Sequence, residues 1–186
     1  MRSSCAPVLI LAALLGPPAA EATERCLGLN HVRAVDRASA RLVELGYRLS
    51  PTLQRLVDAL EASNVIVYIE QRPMKTAGVG GFLALVENQT LPFVRIVLDR
   101  QLPHVQLLGL LGHELQHALE VAEADVRTRQ ELERLYEAIG FEGLANHSYD
   151  SPAARHVGEA VVHDLIAGTE VARASGNPEP GFNRSW

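Results

Sequence analysis

Three side chains suited to metal-assisted hydrolysis lie within five consecutive residues, in the order His113, Glu114 and His117. On an α-helix, positions 113 and 117 differ by about 40° in azimuth and by roughly 6 Å along the axis. Two neutral imidazoles at this spacing can share one tetrahedral Zn²⁺ ion. Glu114 lies about 100° round the helix from His113, so its carboxylate can address a water molecule instead of joining the pair. The spacing therefore predicts a zinc site with a general base beside it.

A helix must hold these three residues in place. The segment from about residue 104 to residue 124 is apolar on most faces, as expected of a helix buried in a core. Charged and imidazole groups in such a helix cost several kcal/mol unless they are paired or bound to a metal. The alternative interpretation is a helix with two surface histidines and no metal, and the apolar surroundings favour the metal site.

Length and composition are those of an ordinary globular domain. The chain has 186 residues, of which 47% are hydrophobic and 21% are charged, and this is enough for one domain with a core. Its net charge is −5, so nothing in the composition indicates a nucleic-acid partner or an anionic membrane surface.

The first 22 residues have the features of a secretory signal peptide. Arg2 precedes an apolar run at residues 6–15, and Ala20-Glu21-Ala22 forms a cleavage site before Thr23. The apolar run is too short to span a bilayer, which disfavours the alternative of an uncleaved anchor. The sequence therefore predicts a secreted or periplasmic protein that has no membrane contact after cleavage.

The cysteines exclude a disulfide framework. Cys5 would leave with the signal peptide, and Cys26 would then have no partner within the chain. A zinc site with cysteine ligands is excluded for the same reason. Cys26 is either buried or paired with another chain, and the sequence does not decide between these states.

Hydrophobic periodicity predicts a single α+β domain over residues 23–173 and a flexible tail at 174–186. Two N-terminal helices should precede three strands, the long helix of the motif and two further helices. Short connections between the strands favour an antiparallel meander. The expected helices cover residues 31–46, 51 to about 64, roughly 104–124, 127–139 and 152 onwards, and the expected strands cover 65–69, 81–87 and 93–98.

The motif and the order of elements resemble the minimal zincin fold of zinc metallopeptidases. The His-Glu-x-x-His match covers only residues 113–117, whereas the compatible order of elements runs from about 31 to 170. In zincin peptidases a small sheet packs on the active-site helix, and its edge strand pairs with an extended substrate. Three segments (112–120, 135–140 and 149–154) are also similar to a group of small exported bacterial proteins with an HELQH motif and no established activity. The resemblance implies a fold and a metal site, but not a particular substrate.

A catalytic zinc site needs a third protein ligand and an open position for water. In metzincins this ligand lies six residues beyond the second histidine, after a glycine. Here Glu123 has that position, Glu120 replaces the glycine, and no methionine follows the motif, so the chain does not fit the metzincin pattern. In gluzincins the ligand is a glutamate on a following helix. Glu137 lies 20 residues after His117, but on the polar side of its helix.

Asp150 is the predicted third ligand. It stands at the start of an amphipathic helix, where a carboxylate can reach inwards. It also matches the acidic position of a Tyr-acid-Ser/Thr-x-Ala-Ala pattern in the group of exported proteins. Its alternative role is plain N-capping together with Ser151. On the same helix His156, Glu159 and His163 lie opposite the apolar stripe, so a solvated face is favoured over metal binding.

The predicted reaction is zinc-dependent hydrolysis of a peptide or protein. Zinc would lower the pKa of a bound water to about 7, and Glu114 would pass its proton to the leaving amine. Tyr149 or His147 would help to stabilise the oxyanion. Glu120 would either orient a histidine N–H or form a surface charge, and the sequence does not decide. The competing hypotheses are a metal-binding or interaction protein without turnover, and the same fold without metal.

Overall fold

The computed structural model describes residues 27–75, 79–87, 92–142 and 149–174, and only the backbone of residues 141, 142, 149, 172 and 173. The predicted signal peptide, Cys26, His147 and residues 175–186 fall outside the described residues. Within these ranges the chain forms five helices, a four-stranded mixed sheet and a two-stranded sheet, so the expected α+β class is confirmed. The helices are α1 (Arg37–Leu49), α2 (Pro51–Glu61), α3 (His104–Glu123), α4 (Arg129–Ile139) and α5 (Pro152–Ala174), and the strands are β1 (Val32–Ala34), β2 (Ile66–Arg72), β3 (Gly81–Val86), β4 (Phe93–Asp99), β5 (Phe141–Glu142) and β6 (Tyr149–Asp150).

The larger sheet is not the expected three-stranded antiparallel meander. Its order is β1-β2-β4-β3, and β1 and β4 both pair with β2 in parallel. Only β3 runs antiparallel, to β4, across the short connection between them. The prediction assumed that strands consecutive in the chain are also neighbours in the sheet, and this is wrong for β2 and β3. Instead β4 lies between them and pairs with β2 from Ile66↔Phe93 to Arg72↔Asp99.

The strand β1 replaces the beginning of the helix expected at residues 31–46. The helix α1 starts later because the Asp36 side chain caps it by accepting the Ser39 N–H at 2.9 Å. The chain before Asp36 is held extended by Glu61, whose carboxylate accepts the backbone N–H groups of residues 30–32 at 2.7–2.9 Å. These bonds tie β1 to the end of α2.

The helix α1 also continues through Gly46, where a stop was expected, and ends at Leu49. A Cβ atom on Gly46 would lie 2.6 Å from Leu53 Cδ1 and 3.0 Å from Leu108 Cδ2. This glycine therefore allows α1 to pack closely on α2 and α3.

One face of the sheet and the apolar faces of α1, α2, α3 and α5 form the hydrophobic core. The helix α3 lies within this core, and its buried residues include three polar ones, Glu114, His117 and Glu120. Buried polar groups of this kind require hydrogen-bond partners or a metal. No helix in the described ranges combines the length and the apolar character needed to cross a bilayer.

Candidate metal centre

The helix α3 presents two imidazole rings to the same point. The Nε2 atoms of His113 and His117 are 3.2 Å apart, and the rings meet edge to face with centroids 4.7 Å apart. The side chain of His117 is 5% exposed and that of His113 is 22% exposed, so the pair lies at the boundary between core and solvent. The helical spacing of four residues produces this geometry directly.

A carboxylate from a later part of the chain completes the group. Asp150 ends β6, and its Oδ1 lies 3.5 Å from His113 Nε2 and 3.8 Å from His117 Nε2. All three candidate ligand atoms lie within 4.8 Å of one another. Ligands bound at 2.0–2.1 Å to a tetrahedral ion are separated by about 3.3 Å, so the three measured separations fit a single metal ion. Three protein ligands leave one tetrahedral position open.

Both oxygens of Asp150 are positioned by nearby residues, Ser151 just before α5 and Arg155 within it. The Ser151 backbone N–H donates to Oδ1 at 2.7 Å, and Arg155 Nε donates to Oδ2 at 2.6 Å. Oδ2 is thereby turned towards the arginine, and Oδ1 keeps a lone pair on the side of the two histidines, where a metal ion could accept it. Asp150 can therefore stand at the start of α5 and also lie beside the histidines. A role at the helix start does not exclude metal ligation.

The tautomer of His117 follows from its neighbours. Glu120 Oε2 lies 2.8 Å from His117 Nδ1, and a carboxylate can only accept, so Nδ1 carries the hydrogen. In the neutral ring Nε2 is then unprotonated, and its lone pair is on the side of His113 and Asp150. A metal requires this tautomer, and a carboxylate behind a ligand histidine commonly fixes it.

Glu120 is buried, with 6% exposure, and it joins three helices. Its Oε1 accepts the Ser151 hydroxyl at 2.5 Å, and its Oε2 accepts the Tyr136 hydroxyl of α4 at 3.1 Å. Burial raises the pKa of Glu120, but hydrogen bonds from His117, Ser151 and Tyr136 outweigh it, and the net pKa is lowered. The sequence left two roles open for Glu120. In the structure Glu120 is the buried partner of a histidine and not a surface charge.

Burial sets the protonation of the remaining groups. It raises the pKa of Glu114, which is 5% exposed, to about 7, with smaller effects of His117, which lowers the pKa, and of Asp150, which raises it. Burial and the nearby His117 lower the pKa of His113, which favours the neutral imidazole. Burial and the Glu120 charge raise the pKa of the Tyr136 hydroxyl, which therefore remains a neutral donor. The centre thus offers a neutral imidazole at His113 and a carboxylate at Glu114 that exchanges protons near neutral pH.

Glycines let α5 approach the histidine helix closely. A Cβ atom on Gly112 would lie 2.7 Å from Val161 Cγ2, a stiff β-branched side chain. A Cβ atom on Gly158 would lie 3.1 Å from the carbonyl oxygen of Gly109 and 3.4 Å from His113 Cβ. Larger residues at this contact would separate the helices and move Asp150, at the start of α5, away from the histidines.

The other acidic candidates for the third ligand lie apart from this group. Glu123, Glu137 and Glu159 are exposed, and none contributes an atom to the cluster of His113, His117 and Asp150. The exposed residues His156 and His163 do not contribute either. Of the two residues expected at the oxyanion, His147 lies outside the described residues, and only the backbone of Tyr149 is described, so the prediction stays open.

Sequence reasoning missed two partners of the centre and understated a third. Helical periodicity places Tyr136 on the inward face of its helix but gives it no polar role, yet its hydroxyl oxygen lies 2.8 Å from His117 Nδ1. Arg155 was not considered, and Ser151 was expected only to cap a helix. The available signal was Tyr136, because a buried tyrosine hydroxyl needs a polar partner.

Comparison with known proteins adds no assignment to this geometry. No family model, no curated protein and no solved structure matches the chain.

Proposed function

We propose that the protein is a zinc-dependent hydrolase of peptide bonds. The single observation that carries the proposal is the group formed by His113 Nε2, His117 Nε2 and Asp150 Oδ1, with separations of 3.2, 3.5 and 3.8 Å. A second carboxylate, Glu114, is buried directly beside one of these histidines in the chain and is not part of the group. Three ligands with one open position are typical of catalytic sites, whereas structural zinc sites have four protein ligands.

We propose zinc as the metal, because the donor set matches one used at catalytic zinc sites. Two imidazoles with one carboxylate are found at catalytic zinc sites, while calcium and magnesium prefer oxygen ligands alone. When bound, zinc supplies Lewis-acid chemistry, which activates water and polarises a carbonyl group. His113, His117 and Asp150 would hold the ion, and Glu120 would keep His117 in the required tautomer.

Glu114 is the proposed proton carrier. Its burial favours a carboxylate that takes up and releases a proton near neutral pH, as a general base needs. It would accept a proton from the attacking water and pass it to the nitrogen of the leaving amine. The same carboxylate would carry out both proton transfers, so Glu114 would act first as general base and then as general acid.

The edge of the sheet offers a surface for an extended peptide. In the described part of the chain, β3 pairs with β4 on one side and has no strand on the other. The strand also approaches the histidine helix, because a Cβ atom on Gly81 would lie 2.9 Å from Leu110 Cδ2. We propose that a peptide or protein substrate adds to this free edge by main-chain hydrogen bonds.

Export is a separate proposal that rests on the N-terminal sequence. The charged start, the apolar run and the Ala20-Glu21-Ala22 site support secretion or a periplasmic location after cleavage at residue 22. Mass spectrometry of the protein recovered from its own host should give a mature chain that begins at Thr23. Recovery of the intact N-terminus in the cytoplasm would contradict export.

The test of hydrolysis separates metal binding from proton transfer. Glu114→Gln should retain one zinc ion per chain and lose at least about a hundredfold in cleavage of a peptide library. Asp150→Ala should lose the zinc ion as well as the activity. The control is Glu123→Gln, since Glu123 is an exposed carboxylate on the same helix and both readouts should stay at the wild-type level.

Each failure has a distinct meaning. An active Glu114→Gln variant would exclude Glu114 as the base, and full zinc content in Asp150→Ala would exclude Asp150 as a ligand. A wild-type protein that holds zinc but cleaves no peptide would favour the alternative function, a metal-binding or interaction protein without turnover.

A further inference from the structure

A second concave region lies between α1 and the segment that joins β4 to α3. It is a cavity of about 640 Å³, within the range of small-molecule sites. Gln71 near the end of β2, Arg100 just after β4 and His104 at the start of α3 all line it. In open sheets, ligands commonly bind beyond the carboxyl ends of parallel strands, and β2 and β4 are parallel. No residue of the metal centre lines this cavity.

The floor of the cavity is apolar. Leu42 and Leu107 belong to the buried core, and Leu45 and Leu102 are partly buried against it. These four leucines come from both walls, α1 on one side and the start of α3 with its preceding segment on the other. An apolar group placed against these leucines would be removed from water.

The rim of the cavity is basic. Arg41 and Arg48 of α1 and Arg100 after β4 line it, together with one carboxylate, Glu44. The lining is therefore net positive in a chain whose overall charge is −5. Arg48 and Arg100 are exposed and line the cavity from opposite walls, α1 and the segment after β4. Guanidinium groups bind carboxylate and phosphate groups through paired, charge-assisted hydrogen bonds.

We propose that this cavity binds a small amphipathic anion. The carboxylate or phosphate group of the ligand contacts Arg48 and Arg100, and its alkyl chain covers the leucine floor. A wholly apolar ligand would desolvate the guanidinium groups without giving them a partner, and an inorganic anion would leave the leucines in contact with water. The combined lining therefore selects a molecule with both parts. This site is independent of the proposed hydrolysis.

The test uses four probes that share a ten-carbon chain: decanoate, decyl phosphate, decanol and decyltrimethylammonium. The charged probes are kept below their micelle-forming concentrations and decanol below its solubility limit. Isothermal titration calorimetry with the full chain should give saturable binding of decanoate, of decyl phosphate or of both. The relative affinity of these two identifies the preferred anionic group. The neutral and cationic probes should bind at least about tenfold more weakly, because they lack the charge-assisted hydrogen bonds.

Four variants locate the binding. Arg48→Glu and Arg100→Glu should each weaken the anionic probes by at least about tenfold. Ala38→Trp, which places a large ring in the cavity lining, should abolish binding of all probes. Arg134→Glu makes the same charge change at an exposed residue of α4 outside the cavity, and it should leave binding unchanged.

Four outcomes would overturn the proposal. The first is equal affinity for the cationic and anionic probes, and the second is a loss of anion affinity in Arg134→Glu as large as in the cavity variants. The third is wild-type affinity in both Arg48→Glu and Arg100→Glu, and the fourth is binding to anionic phospholipid vesicles without any binding of monomeric decanoate or decyl phosphate. Arg48 and Arg100 are exposed, so their variants remain informative even if Ala38→Trp does not fold.

Discussion

Two helix starts in this protein are built in the same way. Each is a Ser-Pro pair, Ser50 before α2 and Ser151 before α5, and both serines are buried. Each serine oxygen accepts a backbone N–H three residues further on, at 3.1 and 3.0 Å, and so caps its helix. Each hydroxyl also donates to a carboxylate of another helix, Asp164 of α5 at 2.7 Å in the first case and Glu120 of α3 at 2.5 Å in the second.

The two carboxylates differ in what else they hold. Asp164 accepts a second hydrogen bond from the Thr52 backbone N–H at 3.0 Å, so both bonds fix the start of α2. Glu120 contacts His117 Nδ1 and the Tyr136 hydroxyl instead. We call these the Asp164 cluster (Asp164, Ser50 and Thr52) and the Glu120 cluster (Glu120, Ser151, His117 and Tyr136). In the Asp164 cluster the cap and its carboxylate only fix a helix start. In the Glu120 cluster the carboxylate that holds the cap also contacts a candidate metal ligand.

The largest expected difference is between the two carboxylate substitutions. Glu120→Gln removes the charge behind His117, so zinc affinity should fall by about 10- to 100-fold. Asp164→Asn removes an equivalent charge with no histidine attached, and its zinc affinity should equal that of the wild type. Both variants should lower the free energy of unfolding of the metal-free protein, by roughly 1–2 kcal/mol. Competition with a chelator measures the first quantity and urea titration the second.

Two outcomes would contradict this prediction. Wild-type zinc affinity in Glu120→Gln would mean that Glu120 only supports the fold. An equal loss in Asp164→Asn would mean that zinc binding simply follows global stability.

A smaller effect is expected from the serines. Ser50→Ala and Ser151→Ala each remove an N-cap and should cost about 1 kcal/mol in the metal-free protein. Only Ser151→Ala should also weaken zinc binding, because Ser151 anchors Glu120 and follows Asp150 directly. The loss should be smaller than for Glu120→Gln, since the contact between Glu120 and His117 remains. Chelator competition on both variants checks the difference, and matching zinc affinities would assign Ser151 to capping alone.

The candidate site could be predicted from the sequence only where local geometry determines it. His113 and His117 meet because residues four apart share a helix face, whatever surrounds the helix. The Glu120 cluster depends on contacts that no local pattern contains, since Ser151 is 31 residues from Glu120 in the chain. Helical periodicity also puts Tyr136 on the inward face of α4, but it does not tell which polar group its hydroxyl meets.

The fold shows the same division between local and distant information. The pairing of β3 with β4 follows from a short connection and was expected to be antiparallel, as it is. The parallel pairing of β2 with β4 requires one strand to pass over its neighbour in the chain, which hydrophobic periodicity cannot indicate. Arg95 of β4 is exposed, so this strand lacks the burial on both faces that is typical of parallel sheets and carried no signal of parallel pairing. The strand β1 was not predicted, because its three residues are too few to interrupt a helical pattern of apolar residues.

The smallest expected effect is on the acid dependence of stability, and it belongs to the Asp164 cluster. Burial raises the pKa of Asp164, but hydrogen bonds from Ser50 and Thr52 outweigh it, so the pKa is lowered from its ordinary value of 3.8. Because the folded pKa is below the unfolded one, the unfolded state binds more protons in the interval between them. The stabilisation is therefore complete above the unfolded pKa and is lost as the pH falls through the folded pKa.

Two variants test this sign by urea unfolding of the metal-free protein between about pH 3 and pH 5. Asp164→Asn has no proton to gain at this position, so its free energy of unfolding should fall less steeply with acid than that of the wild type. Ser50→Ala removes one donor and brings the folded pKa back towards 3.8, so its acid loss should be smaller than that of the wild type and should be complete at a higher pH. Parallel acid curves for the wild type and Asp164→Asn would mean that the carboxylate of the Asp164 cluster titrates alike in the folded and unfolded chain. In that case the cap on α2 would be as strong with a neutral partner as with a charged one.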